Sequence, residues 1–187
     1  MFGKPRTLSM PVMAVVTALA GTGCGGDRAS DAPISSERDL QDVCERRTYF
    51  TRAPAAAASP PRPIVVFEQR QHDFYSRELI LQAGSDWQSV NPNRYQLVAC
   101  SKRTGEGEKI KDCAFDTGVK SVPLHEATFE VRLYEAKTRK PRKTVSIRGK
   151  DYTCPTLQFF RAGEDLKILS NPKPNQYVAA LGDEVQR

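Results

Sequence analysis

Between Ala127 and Arg148 the chain alternates apolar and polar residues, a pattern that few structures outside a β-sheet can use. Ala127, Phe129, Val131 and Leu133 alternate with Thr128, Glu130, Arg132 and Tyr134. A period of two puts each set on its own side of an extended strand, so this segment is predicted as a strand with one buried face. A basic stretch, Ala136–Arg142, follows as a turn region. Thr144-Val145-Ser146-Ile147-Arg148 then alternates again. Together they read as a β-hairpin, closed by Gly149 and by Cys154-Pro155.

Shorter signals extend the sheet. Ile64-Val65-Val66-Phe67 is an apolar run entered through Pro63, which suits the first residue of a strand. Tyr95–Cys100 (YQLVAC) reads as a strand, with residues 108–115 as its partner across the polar, Gly-rich turn Thr104–Gly107. Residues 77–82 suit either a strand or a helical turn, and Trp87 sits in a loop-like stretch. In the tail, Pro174 to Arg187, the residues Tyr177, Val178, Leu181 and Val185 recur at helical spacing, with Asn175 as a cap. The predicted fold is mainly β: a small antiparallel β-sandwich-like domain over residues 42–187 with a short C-terminal helix.

The first 23 residues do not belong to that domain. Lys4 and Arg6 are the sole charges before Asp27, and the apolar run Leu8–Ala20 leads to Gly21-Thr22-Gly23-Cys24. A basic start, a short apolar run and small residues before a cleavage point make a secretory signal. The run covers thirteen residues, whereas a membrane-spanning helix needs about 20, and Pro11 interrupts it. Cys24 turns this signal into a lipobox, although Gly21 stands where a common lipobox has Leu, and Leu19 lies two residues earlier. Acyl chains on Cys24 would hold the protein at the membrane, two or three chains anchoring stably where one is marginal. Residues 24–41 are polar and rich in Gly, Ser and Asp, and read as a flexible tether. Residues 53–63, an Ala/Pro tract, read as an extended connector.

Export suits the cysteines. Apart from Cys24 four remain, Cys44, Cys100, Cys113 and Cys154. An even number in an oxidising compartment indicates two disulfides, with three pairings open. The hairpin character of the segment between them favours Cys100–Cys113, which leaves Cys44 with Cys154. There is no CxxC pair, and His72 and His125 are the two histidines, so no metal site is expected. Loss of residues 1–23 takes away Lys4 and Arg6, reducing 28 basic side chains to 26 against 22 acidic ones. This mild excess is no nucleic-acid-binding signature.

The segments Cys44, Pro63–Glu68 (PIVVFE), Tyr95–Cys100 with Arg103, Cys113, Ala127–Thr138 (ATFEVRLYEAKT) and Cys154-Pro155 resemble a family of exported proteins and lipoproteins of actinobacteria and related bacteria. The resemblance runs from about Val43 to the C-terminus. It implies export, four structural cysteines and a β-rich domain, and no activity. Arg62 stands where the family often has His, and Arg139 where it usually has Gly, so the hairpin turn is expected to differ.

No catalytic residue and no cofactor are assigned. His72 and Asp73 adjoin Phe74 and Tyr75, but no nucleophile elbow, zinc helix or phosphate loop accompanies them. Both histidines read as loop or strand-end residues. The densest charge lies around the hairpin tip: Lys137, Arg139, Lys140, Arg142 and Lys143, flanked by Arg132 and Arg148. Such a cluster can touch anionic lipid headgroups, an anionic polymer or an envelope protein. It can equally be a solvated edge whose lysines block aggregation. The leading expectation is a lipid-anchored, non-enzymatic binding or structural module outside the cytoplasm. The rival is a small envelope hydrolase, which would need a histidine beside Ser, Asp or Glu in a pocket.

Overall fold

The apolar runs become the middle of a sheet. The structure, a computed structural model, describes residues 26–70, 73–76, 87, 89–115, 121–156 and 166–186, with only the backbone of 70 and 73–76. Strands β1 (Arg28–Ser30) and β2 (Thr48–Phe50) form a small parallel sheet. Strands β3 (Ile64–Arg70), β4 (Asp73–Ser76), β5 (Leu97–Cys113), β6 (Val122–Glu135) and β7 (Pro141–Arg148) form the large one. Its order is β4-β3-β5-β6-β7, and β8 (Ile168–Leu169) pairs with β6. The fold is therefore mainly β, with two sheets and a C-terminal helix. The β3–β5 and β6–β8 pairings are parallel, and the other pairings of the large sheet are antiparallel.

Both faces of the large sheet are covered, which explains why β3 and the start of β5 are continuously apolar. On one face Val65, Phe67, Val98 and Cys100 pack under Ile34, Leu40, Val43 and Phe50 of the N-terminal segment. On the other, Ile64, Val66, Leu97, Ala99, Val131 and Leu133 pack under Tyr177, Leu181 and Val185. Those three lie on helix α2 (Pro174–Gln186), whose spacing is as expected. Trp87 is buried in the same layer, and its carbonyl accepts from the Ile64 amide at 2.9 Å.

The start of α2 is held by Gln176 rather than by Asn175. Gln176 Oε1 accepts from the amides of Lys173 (3.0 Å) and Lys150 (3.1 Å), and its Nε2 donates to the Arg148 carbonyl at 2.6 Å. The first of these bonds satisfies an amide at the helix start, and the other two fasten the helix to the end of β7. The far end of α2 is held by Arg62, which donates to the Glu184 carbonyl at 2.8 Å and to the Ala57 and Ala58 carbonyls. A cation there meets the negative end of the helix dipole. These bonds fold the Ala/Pro tract against the domain as a surface loop.

Three expectations are corrected. Residues 26–41 are docked, not a flexible tether: Ile34 and Leu40 are buried, and the Asp39 carboxylate accepts from the Ser35 and Ser36 amides. Two apolar side chains within a polar stretch seat it, together with the pairing of β1 with β2 and the ion pairs of Asp27. Thr104–Gly107 is no turn, because β5 runs unbroken from Leu97 to Cys113 and pairs with β6 along its length. The register slips between Arg103 and Gly105 and again between Glu106 and Lys109. At Gly107 an added Cβ would come within 3.0 Å of the Glu126 Cβ, so this glycine serves close strand approach.

Strand continuity also decides the disulfides. Cys100 and Cys113 are thirteen positions apart on β5, and at roughly 3.4 Å per residue they lie far beyond bridging distance. The bridges are Cys44–Cys100 and Cys113–Cys154, each with a Cα–Cα distance of 5.5 Å. Cys44 belongs to the short helix α1 (Asp42–Glu45), so the first bridge locks the N-terminal layer onto the central strand. The second closes a small apolar cluster of Cys113, Val122, Leu124 and Ile168 at the opposite end of the sheet.

Candidate functional site

The strand pairing brings the β6–β7 tip against the N-terminal layer. The Arg139 amide donates to the Glu135 carbonyl at 2.8 Å, and the Glu135 amide to the Lys140 carbonyl at 3.0 Å. Arg139 occupies the left-handed region, with φ 54°, a conformation that favours glycine. Its side chain shows what it contributes instead. Nε donates to the Val43 carbonyl at 3.0 Å, a terminal nitrogen pairs with Asp27 at 2.8 Å, and the guanidinium lies 4.5 Å from the Tyr134 ring centroid. Arg47 pairs with the same Asp27 oxygen at 3.1 Å. Arg139 therefore joins the hairpin tip to both ends of the N-terminal layer.

This geometry yields a ranking of variants. Arg139→Ala keeps the unfavourable backbone and loses the contacts, whereas Arg139→Gly loses the same contacts but relieves the backbone. In urea unfolding the wild type is expected to be most stable, then R139G, then R139A, the two variants differing by about 1 kcal/mol. An alanine variant equal to the glycine variant would mean that the backbone at 139 carries no strain.

Other members of the predicted basic cluster are also engaged. Arg142 pairs with Glu135 (3.3 Å) and Glu184 (3.1 Å), and Glu184 raises the guanidinium pKa further above its ordinary value. Lys143 Nζ donates to the Ala180 carbonyl at 2.8 Å. Arg132 pairs with Glu130 at 2.7 Å, and Arg148 with Glu126 at 3.5 Å. Lys137 and Lys140 make no ion pair among the described residues. Sequence reasoning missed Arg28, Arg46 and Arg47, which are exposed beside the tip. They lie more than ninety residues from Arg139 in the chain, so no local charge count reveals them.

His125 does not form a site with the tip. His72 lies outside the described residues, as does Cys24. His125 is at the other end of the sheet, where its Nδ1 is 3.2 Å from the Gly107 carbonyl and 3.9 Å from Glu106. The Lys167 ammonium, 2.8 Å from Glu106, holds that carboxyl below the usual range. A shallow cleft of about 400 Å³ opens in the N-terminal layer among Ser30, Pro33, Ser35, Asp39, Asp42 and Phe50, without a histidine. Tyr49 is half-buried and Phe50 is buried.

Two buried polar groupings hold layers together. Tyr177 Oη lies 3.0 Å from both Glu68 Oε2 and Ser101 Oγ, a residue pair in register on β3 and β5. Tyr95 donates to Glu37, and burial together with that carboxylate pushes its phenol pKa up. Among the described residues there is no cluster of three metal-binding side chains, and no helix is long and apolar enough to cross a membrane. Comparison with family models, characterised proteins and solved structures finds no match to the chain.

Proposed function

We propose that the chain is an exported lipoprotein, anchored by acyl chains on Cys24, whose β domain is a non-enzymatic binding or structural module outside the cytoplasm. The observation that carries this reading is the N-terminal run itself: Lys4 and Arg6, the apolar stretch Leu8–Ala20, then Gly21-Thr22-Gly23-Cys24. The bonding of all four remaining cysteines in two disulfides supports an oxidising compartment.

The test is metabolic labelling with a tagged fatty acid, followed by fractionation. Wild-type protein is expected to carry the label and to sediment with membranes. Cys24→Ala is expected to lose the label and to appear in the soluble envelope or medium fraction. Wild-type protein without label, distributed like the variant, would overturn the anchor.

A further inference from the structure

The geometry points to a domain that lies directly on the bilayer, its basic pole against anionic headgroups, rather than standing clear of the membrane on a leash. This inference rests on the lipid anchor at Cys24 and adds the orientation and the surface it contacts.

Asp27 is pinned by Arg139 at 2.8 Å and by Arg47 at 3.1 Å, and the Arg28 amide donates to the Arg47 carbonyl at 3.0 Å. Asp27 and Arg28 are thus held at the hairpin tip. Cys24 precedes Asp27 by three residues, a reach of at most about 11 Å when fully extended. The headgroup layer on one side of a bilayer is itself roughly 5–8 Å thick. A lipidated Cys24 therefore places this pole at the headgroups.

The charge there fits the same surface. Arg28, Lys137 and Lys140 are exposed or half-exposed and have no ion-pair partner among the described residues. The nearby acids Asp27 and Asp42 are engaged by Arg47, Arg139 and Arg46. At the opposite end of the sheet Lys109 pairs with Asp112 at 2.7 Å and Lys167 with Glu106 at 2.8 Å, while Lys111 is exposed there. The β6 strand, fourteen residues long, separates the two ends by roughly 45 Å. The exposed cations Arg28, Lys137 and Lys140 and the point from which the chain runs back to Cys24 thus share one pole.

The experiment is amine acylation of purified full-length lipidated protein, read residue by residue by mass spectrometry. The probes are vesicles of phosphatidylglycerol with phosphatidylcholine, vesicles of phosphatidylcholine alone, and detergent micelles. On anionic vesicles, acylation of Lys137 and Lys140 is expected to slow about fivefold relative to micelles, with Lys111 at the far end unchanged. Lipidated, vesicle-bound protein whose Lys137 and Lys140 react as fast as in micelles would overturn the orientation and leave the anchor standing. Equal protection on phosphatidylcholine alone would overturn the role of charge. Protein found without lipid on Cys24 would overturn the anchor itself.

Discussion

Replacing Cys44 and Cys100 together by alanine is expected to lower stability by about 4 kcal/mol, and the same holds for Cys113 with Cys154. The bridges span 56 and 41 residues of sequence, and closing loops of that size removes similar chain entropy from the unfolded state. The consequences should differ by place. Without Cys44–Cys100 the N-terminal layer loses its covalent tie and keeps the packing of Ile34, Leu40, Val43 and Phe50 on the sheet, so limited proteolysis should cut first within residues 26–52. Without Cys113–Cys154 cleavage should shift to residues 149–156, while the N-terminal layer stays protected. Guanidinium unfolding of the two double variants, with proteolysis mapped by mass, checks both statements. Identical cleavage patterns would refute the assignment of one bridge to each end of the sheet. A Cys100–Cys113 bridge in non-reduced peptide maps would be incompatible with a continuous β5.

Tyr177→Ala is expected to cost about 3–5 kcal/mol, and Tyr177→Phe about 1–3 kcal/mol. Tyr177 is fully buried, and with Leu181 and Val185 it forms the face that α2 lays on the sheet. Truncation removes a large packed ring and opens a cavity. It also withdraws the hydroxyl that lies between Glu68 and Ser101, both buried. The phenylalanine variant isolates that second loss, since the ring stays. Urea unfolding should rank wild type, Phe and Ala in that order. Hydrogen exchange should show faster opening along β3 and β5 in both variants. A Phe variant as stable as the wild type would mean that the hydroxyl adds no net stability, leaving helix docking to apolar contact alone.

The candidate site was partly legible in the sequence. The basic residues of the hairpin tip are visible as a cluster in the chain, but their availability is not. Arg139, Arg142 and Lys143 are drawn into contacts with Asp27, Glu135, Glu184 and a helix carbonyl. These partners come from the N-terminal segment and the C-terminal helix, more than thirty residues distant for all but Glu135. Arg28, Arg46 and Arg47 join the tip for the same reason and were equally invisible. Arg139, at a turn, and Arg62, at a strand entrance, bind across layers to partners far away in the chain.

Periodicity is local, and it was enough for β6, β7 and α2. Alternation between Ala127 and Leu133 and the spacing of Tyr177, Leu181 and Val185 describe one face each, whatever that face meets. Cysteine number likewise sufficed for two bridges. Pairing is not local. Whether Gly105 and Gly107 turn the chain or let two strands approach depends on the strand opposite, and β6 decides for approach. That choice separates Cys100 from Cys113 and sends each to a partner from another part of the chain. Ile34 and Leu40 read as isolated apolar residues in a polar stretch until the face of Val65, Phe67 and Val98 is there to receive them. The sequence determined which segments have an apolar face, because a face is set by neighbours a few residues away. The tertiary structure alone decided which faces meet, because that depends on burying all of them together.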